Sequence, residues 1–144
     1  HVQIREFFGM GWDHIWWNWQ GIVRYEGSVA QPILIKKPSY YTYKLLEQKL
    51  YGYQKVETLN LDDEIFAYKF VFAGKNPIIV AWTEGAATTV NLSSPLDSDQ
   101  ARLTHIITED GKTDGDAFVE ITSANAVRLD ADPVFIEAVQ ISSP

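Results

Sequence analysis

Residues 110–116, with the sequence DGKTDGD, have the oxygen-rich side chains that come nearest to a metal-binding pattern. Calcium takes six to eight oxygen ligands, often from alternating positions of one loop. Here the alternation fails, and no glutamate stands where it could close the loop as a bidentate ligand. The sequence therefore favours a hairpin with Asp-Gly turn chemistry at Asp110 and Gly111 over a calcium site.

Other patterns that could bind a metal or catalyse a reaction are weak. His14 and His105 each stand alone, without a second histidine or a cysteine at ligand spacing, which argues against zinc. The chain has no cysteine, so disulfides, thiolate metal sites and cysteine nucleophiles are excluded. No Gly-x-Ser-x-Gly motif is present to suggest a serine hydrolase. We expect neither a metal nor a cofactor.

Charge and hydropathy limit the partners. The 144 residues carry a formal net charge of -7, and a chain without a basic patch is unsuited to nucleic acid. No apolar run approaches the ~20 residues that a membrane span needs, so we expect no membrane partner. No signal peptide is visible, and a start on His1 within ordered-looking sequence suggests a processed or truncated product. Localisation stays open, with a secreted or periplasmic location as one option.

The front of the chain has the pattern of alternating helices and strands. Residues 2–10 suggest the end of a helix, and 12–19, which hold four of the five tryptophans, form a short aromatic strand with two apolar faces. Residues 21–32 suggest a loop. A helix over 38–51 follows, with Pro38 in its first turn and Gly52 as its left-handed cap. Its apolar stripe is predicted from three residues at helical spacing, widened by two more: Tyr43, Leu46 and Leu50, then Tyr41 and Leu45.

Beyond residue 56 the hydrophobic period changes to two. Short strands separated by turn signals, with no helix between them, predict an antiparallel β-sandwich. A strand over 64–72 places Phe66 and Tyr68 on one face, and the next strand places Trp82 with Ile78 and Val80. The predicted strands are 64–72, 77–83, 88–92, 102–108, 118–122, 126–129 and 134–137.

The order of these parts resembles the C-terminal end of retaining glycoside hydrolases of the (β/α)8-barrel superclan. The resemblance is carried by the tryptophan-rich strand, by KPSYYTYKLL at 37–46, by VAWTE at 80–84 and by VRLDADPVFI at 127–136. It implies that 12–19 form the eighth barrel strand and 38–51 the eighth helix.

The fold class implied is mainly β, an antiparallel β-sandwich preceded by a helix-strand-helix remnant of an α/β barrel. Two domains are expected: residues 1–53 as the terminal βα segment of the barrel, and 54–144 as the C-terminal β-sandwich. The sandwich would support the barrel by packing against its outer helices, with Tyr40, Tyr41 and Tyr43 as contacts.

The resemblance also implies where the chemistry lies. Retaining glycosidases use two carboxyl groups ~5–5.5 Å apart, one as acid/base and one as nucleophile. In this superclan the two carboxyl groups lie at the ends of the fourth and seventh barrel strands, and the resemblance implies that this chain begins after both strands. The expected function is a C-terminal fragment of a glycoside hydrolase that has no catalytic residue of its own and is inactive alone.

The substrate site carried over from the resemblance is an aromatic platform at the end of the eighth strand, where barrel enzymes bind their substrates. Trp17 is the best match for the residue that stacks on the sugar ring, with Asn18 and Trp19 beside it. The alternative for each tryptophan is packing in the barrel core. The expected partners are a carbohydrate and the remainder of the barrel, in the same or a separate chain.

Two other functions stay open. A non-catalytic carbohydrate-binding β-sandwich would carry exposed, coplanar aromatic rings. The position of Trp82 separates that function from a structural one, and its alternation with Ile78 and Val80 favours burial. The remaining possibility is an interaction domain whose aromatic front third docks on a partner protein.

Overall fold

The computed structural model describes residues 22–27 and 30–139. The segments predicted over 2–10 and 12–19 lie outside the described residues. The described chain is mainly β, with antiparallel strand pairs and few helices. It divides into two units, one containing described residues up to Lys44 together with 107–116, the other containing 45–106 and 117–139.

The first unit contains an antiparallel hairpin of β1 (Val23–Gly27) and β2 (Pro32–Lys36), in which Val23 lies opposite Lys36. The prediction of a loop over 21–32 was therefore wrong for β1. β-Branched residues of both strands, such as Val23 and Ile33, favour extended backbone, and pairing of the two strands outweighed the loop signal of Gly27 at the end of β1.

Helix α1 (Pro38–Leu50) confirms the predicted helix to within one residue, and Gly52 has the left-handed φ of 80° expected of its cap. Its buried face differs from the predicted stripe. Leu45 and Leu50 are buried, whereas Tyr43 and Leu46 are 63% and 41% exposed. The residues of α1 from Leu45 onward belong to the second unit.

The second unit is built on a six-stranded antiparallel sheet with the order β3-β4-β5-β10-β7-β8, and a two-stranded ribbon of β6 and β9. A one-turn helix, α2 (Ser93–Leu96), follows β6. The structure confirms the seven predicted strands as β4 to β10, with ends shifted by at most three residues, and adds β3, which the sequence did not predict as a strand. Their bounds are β3 Lys55–Thr58, β4 Ile65–Val71, β5 Ile78–Thr83, β6 Thr88–Val90, β7 Gln100–His105, β8 Val119–Ser123, β9 Val127–Leu129 and β10 Val134–Ala138.

The two faces of the sheet have separate cores, as expected where strands are apolar on both sides. One face, which we call the ribbon face, packs Ile79, Leu103 and Ile136 in a cluster with Val127 and Leu129 of the β9 strand. These five side chains are almost fully buried. The ribbon thus covers one side of the central strands.

The opposite face, the helix face, carries a second cluster of Ile78, Val80 and Phe135 with Leu45 and Leu50 of α1. Within the described residues, no helix has the length and apolar character needed to cross a membrane. Because Leu45 and Leu50 belong to this second cluster, the last turns of α1 cover the helix face of the sheet.

Candidate functional site

Trp17, Asn18 and Trp19, the substrate-binding residues suggested by the resemblance, lie outside the described residues. Their role as a sugar platform stays a prediction. The described chain does contain another group of aromatic side chains, on the helix face of the six-stranded sheet.

This aromatic group consists of Phe66 and Tyr68 on β4 and Trp82 on β5. The register places Phe66 directly opposite Trp82 and Tyr68 opposite Val80. The Phe66 and Trp82 rings stack with centroids 5.4 Å apart and planes 14° from parallel, and Tyr68 lies 5.8 Å from Trp82 at 36°. Period-two alternation puts all three on one face, as the sequence predicted.

Trp82 is only half-buried, although the sequence favoured burial. It lies with Ile78 and Val80 as predicted, and it packs at the margin of the cluster that contains Phe135. The ring therefore has one part in the core and another beside the stacked Phe66. Indole and phenyl rings in such a position combine packing with an accessible apolar surface.

A groove of about 400 Å³ lies beside these rings, at the connection between β3 and β4. Phe66 and Tyr68 contribute to its lining from β4. The remaining lining residues belong to β3, to the connection and to β4: Thr58, Leu59, Asn60, Leu61, Asp62, Asp63, Ile65 and Ala67. Aromatic, amide and carboxylate groups are thus brought to one cavity.

Local hydrogen bonds hold the groove's polar wall. The Asp62 carboxylate Oδ1 accepts the Asp63 N–H at 2.6 Å, and the Asp62 carbonyl accepts the Ile65 N–H at 3.2 Å. The Leu59 N–H donates to the Ala67 carbonyl at 2.8 Å. The bond from the Ile65 N–H to the Asp62 carbonyl closes a turn over residues 62–65, so this end of the connection has a defined shape.

The end of the connection is fixed to β5. The Glu64 carbonyl accepts the Thr83 hydroxyl at 3.2 Å and the Glu84 N–H at 2.9 Å. The Glu64 carboxylate lies against Gly85, where a Cβ would stand 2.1 Å from Oε2. Glycine at this position therefore lets the connection approach the end of β5 closely.

The second described cavity, of about 610 Å³, is lined by residues of α2, of the segment that follows it and of the neighbouring strand ends. Ser98 is one of these residues, and its hydroxyl donates to the carbonyls of Gln100 and Val139. The described lining includes no aromatic side chain. This cavity offers polar contacts but no ring on which an apolar or sugar face could stack.

The oxygen-rich loop over 110–116 forms turns, with Gly111 at a φ of 83°. The Asp116 carboxylate accepts the N–H and the hydroxyl of Thr113 at 2.9 and 3.0 Å. These bonds lower the pKa of Asp116 below its usual value, since they favour the charged form. Asp114 pairs with Lys44 at 3.2 Å.

The carboxylates of this loop thus bond to neighbouring groups, and no cluster of three or more potential metal ligands occurs among the described residues. His14 lies outside them. His105 Nε2 lies 3.5 Å from Glu120 Oε1, and its ring is 5.3 Å from that of Phe118.

The C-terminal end of α1 is attached to the six-stranded sheet by three kinds of contact. Lys49 donates to Glu137 of β10 at 2.5 Å, beside the buried Leu50. Just beyond the helix, Tyr53 packs edge-on against Phe70 at 5.3 Å. Apolar packing, an ion pair and an aromatic contact together hold the end of the helix to the sheet.

Comparison with known proteins adds no identification: no protein-family model, curated protein or solved structure matches the chain. Sequence reasoning placed Phe66 and Tyr68 on one strand face but missed the groove. The available signal was the polar NLDD stretch over 60–63, directly before that strand.

Proposed function

We propose that the chain is the C-terminal part of a retaining (β/α)8-barrel glycoside hydrolase. Residues 1–53 would be the terminal βα segment of the barrel, and 54–144 a β-sandwich domain formed by the six-stranded sheet and its covering ribbon. The proposal rests on the resemblance of the sequence. The helix over Pro38–Leu50 supports it, since the resemblance implies a helix over 38–51.

The observation that carries the proposal is the attachment of α1 to the sheet. Leu45 and Leu50 are buried in one cluster with Phe135, and Lys49 is paired with Glu137. A helix held by its C-terminal turns can transmit the rigidity of a β domain to whatever its N-terminal part adjoins. This is the mechanical role expected of a domain that supports a barrel.

In this proposal the chain contributes to substrate binding and to stability, and the rest of the barrel supplies the two carboxyl groups. Trp17 would stack on the sugar ring in the cleavage subsite, with Asn18 and Trp19 beside it. Tyr40, Tyr41 and Tyr43 would contact neighbouring barrel helices, and Tyr43 is largely exposed. The partners would be a carbohydrate and the remainder of the barrel.

A hydrolysis assay tests this function. The 144-residue chain is incubated with nitrophenyl glycosides of glucose, xylose, mannose and galactose, alone and joined to the preceding part of the barrel. We expect turnover only from the longer protein, because in this proposal the two catalytic carboxyl groups belong to the preceding part of the barrel. Clear turnover by the 144 residues alone, or none by the longer protein, would overturn the proposal.

A second candidate is a non-catalytic carbohydrate-binding β-sandwich. The aromatic group of Phe66, Tyr68 and Trp82 favours it, since all three rings are half-buried and keep part of their apolar surface accessible to solvent. Binding of soluble oligosaccharides by the chain, measured by calorimetry, tests this function. It requires no barrel and is compatible with the first candidate.

A further inference from the structure

We propose that the groove between the β3–β4 connection and the aromatic residues of β4 is a binding site for a neutral saccharide. The inference deepens the second candidate function by naming the site and the class of ligand. It does not depend on whether the chain belongs to a barrel enzyme.

The size and the lining of the groove fit this ligand. Its volume of about 400 Å³ falls within the range of small-molecule sites. Phe66 and Tyr68 are among its lining residues, and the Trp82 ring stacks on the Phe66 ring. A pyranose has an apolar face of C–H groups that packs on such rings, while its hydroxyls project from the edge of the ring toward polar neighbours.

The polar wall supplies hydrogen-bond acceptors for those hydroxyls. One carboxylate oxygen of Asp62, Oδ1, accepts a hydrogen bond from the Asp63 N–H. The side chains of Asn60 and Asp63 are exposed, and neither makes a hydrogen bond or ion pair within the described part of the chain. Hydroxyl hydrogen bonds to a carboxylate are charge-assisted and therefore stronger than bonds to neutral acceptors.

The charge of the groove selects against anionic sugars. Asp62 and Asp63 line it, Glu64 adjoins it, and the described lining residues include no lysine or arginine. A uronate or sulfate group would meet like charges with no compensating cation. The site thus suits neutral hexose or pentose chains and disfavours polygalacturonate.

The shape of the site is fixed before a ligand arrives. The Asp62 turn, the last rung between Leu59 and Ala67, and the bonds from Thr83 and Glu84 to the Glu64 carbonyl hold both ends of the connection. A preformed site loses less conformational freedom on binding.

The test is calorimetry and NMR shift mapping of the 144-residue chain. The probes are tetrasaccharides of β-1,4-linked glucose, xylose and mannose, with polygalacturonate as the anionic probe. Two variants alter the groove: Tyr68→Leu keeps apolar bulk but removes the ring, and Asp63→Ala removes an exposed carboxylate. Their matched controls outside the groove are Tyr51→Ala and Asp132→Ala, with circular dichroism as the folding check.

We expect at least one neutral tetrasaccharide to bind, and each groove variant to weaken it by about tenfold or more, while the controls leave the affinity unchanged. Binding that the groove variants do not alter would overturn this site and leave the carbohydrate-binding function standing. Absence of binding at about 10 mM of every neutral probe would overturn both. Stronger binding of polygalacturonate than of the neutral probes would also overturn the proposal.

Discussion

Leu45 and Leu46 are adjacent leucines of α1 in different surroundings, so they form a matched pair for testing how the helix is held. Leu45 is 5% exposed and packs in the cluster with Leu50 and Phe135, whereas Leu46 is 41% exposed. We predict that Leu45→Ala destabilises the second unit several times more than Leu46→Ala.

The magnitude follows from burial. Removing a fully enclosed leucine side chain costs about 2–5 kcal/mol, the sum of the lost transfer free energy and the cavity left behind. Leu45 lies where a helix meets a sheet, and a boundary of this kind can partly close, so we expect about 2–3 kcal/mol. For Leu46 we expect less than about 1 kcal/mol, because much of its surface already contacts water. Alanine is as good a helix former as leucine, so helix propensity does not obscure the difference.

The assay is urea unfolding followed by circular dichroism and by tryptophan fluorescence. Leu45→Ala should lower the unfolding midpoint and, on heating, reduce Tm by roughly 5–10 °C, while Leu46→Ala should change it by only a few degrees. Equal losses, or a larger loss for Leu46→Ala, would refute the reasoning. They would mean that the helix faces the sheet through the stripe of Tyr43, Leu46 and Leu50 that the sequence suggests.

Three further predictions concern polar contacts and backbone conformation. Lys49→Met should lower the free energy of unfolding by about 1 kcal/mol at low salt and by less at high salt, because its ion pair with Glu137 is only partly exposed. A double-mutant cycle with Glu137→Gln should show coupling between the two residues, and additive losses of stability would contradict this prediction. Asp97 has a left-handed φ of 51°, a conformation that glycine adopts freely and valine does not. Asp97→Gly should therefore leave the free energy of unfolding unchanged or raise it slightly, whereas Asp97→Val should lower it by about 1–2 kcal/mol in the same assay. Equal effects of the two substitutions would exclude backbone strain at this residue. The Asp116 carboxyl should titrate by NMR with a pKa below its usual value, and Thr113→Val should return the pKa towards that value. Since the folded pKa is depressed, its stabilisation is complete above the unfolded pKa and is lost as the pH falls through the folded one; a titration unchanged in Thr113→Val would contradict the assignment.

Most strands were predictable because alternation is a local signal. Residues 64–72 place aromatic side chains at every second position, and the structure confirms Phe66, Tyr68 and Phe70 on one face. The hairpin of β1 and β2 was missed because its stability comes from pairing between two short strands. Such pairing is a non-local property that neither strand's own sequence specifies.

The buried face of α1 was harder to predict for a geometric reason. Leu45 and Leu50 are five residues apart, which places them about 140° apart around a helix, so they do not form a simple stripe. Tyr43 and Leu46 are three residues apart and do form one. The sheet contacts the helix between Leu45 and Leu50, and Tyr43 stays exposed because its ring and hydroxyl tolerate water.

The groove depends on two features that sequence periodicity does not report. One is the cross-strand register that brings Phe66 opposite Trp82. The other is the turn over residues 62–65, next to which residues of the connection and of β4 line one cavity. The polar stretch before β4 predicts a loop in any β protein, and only its three-dimensional course makes it part of a cavity.

The proposed support of a barrel uses the helix face, the proposed saccharide site lies at the β3–β4 connection, and Trp82 connects them. Its ring stacks on Phe66, which lines the groove, and packs against the cluster that contains Leu45. Removing Trp82 would therefore alter binding and stability together and could not separate the two functions. Tyr68 and Asp63 lie in the groove and outside that cluster, whereas Leu45 lies in the cluster and outside the groove. If the two roles are independent, Asp63→Ala weakens binding without lowering stability, and Leu45→Ala lowers stability without weakening binding.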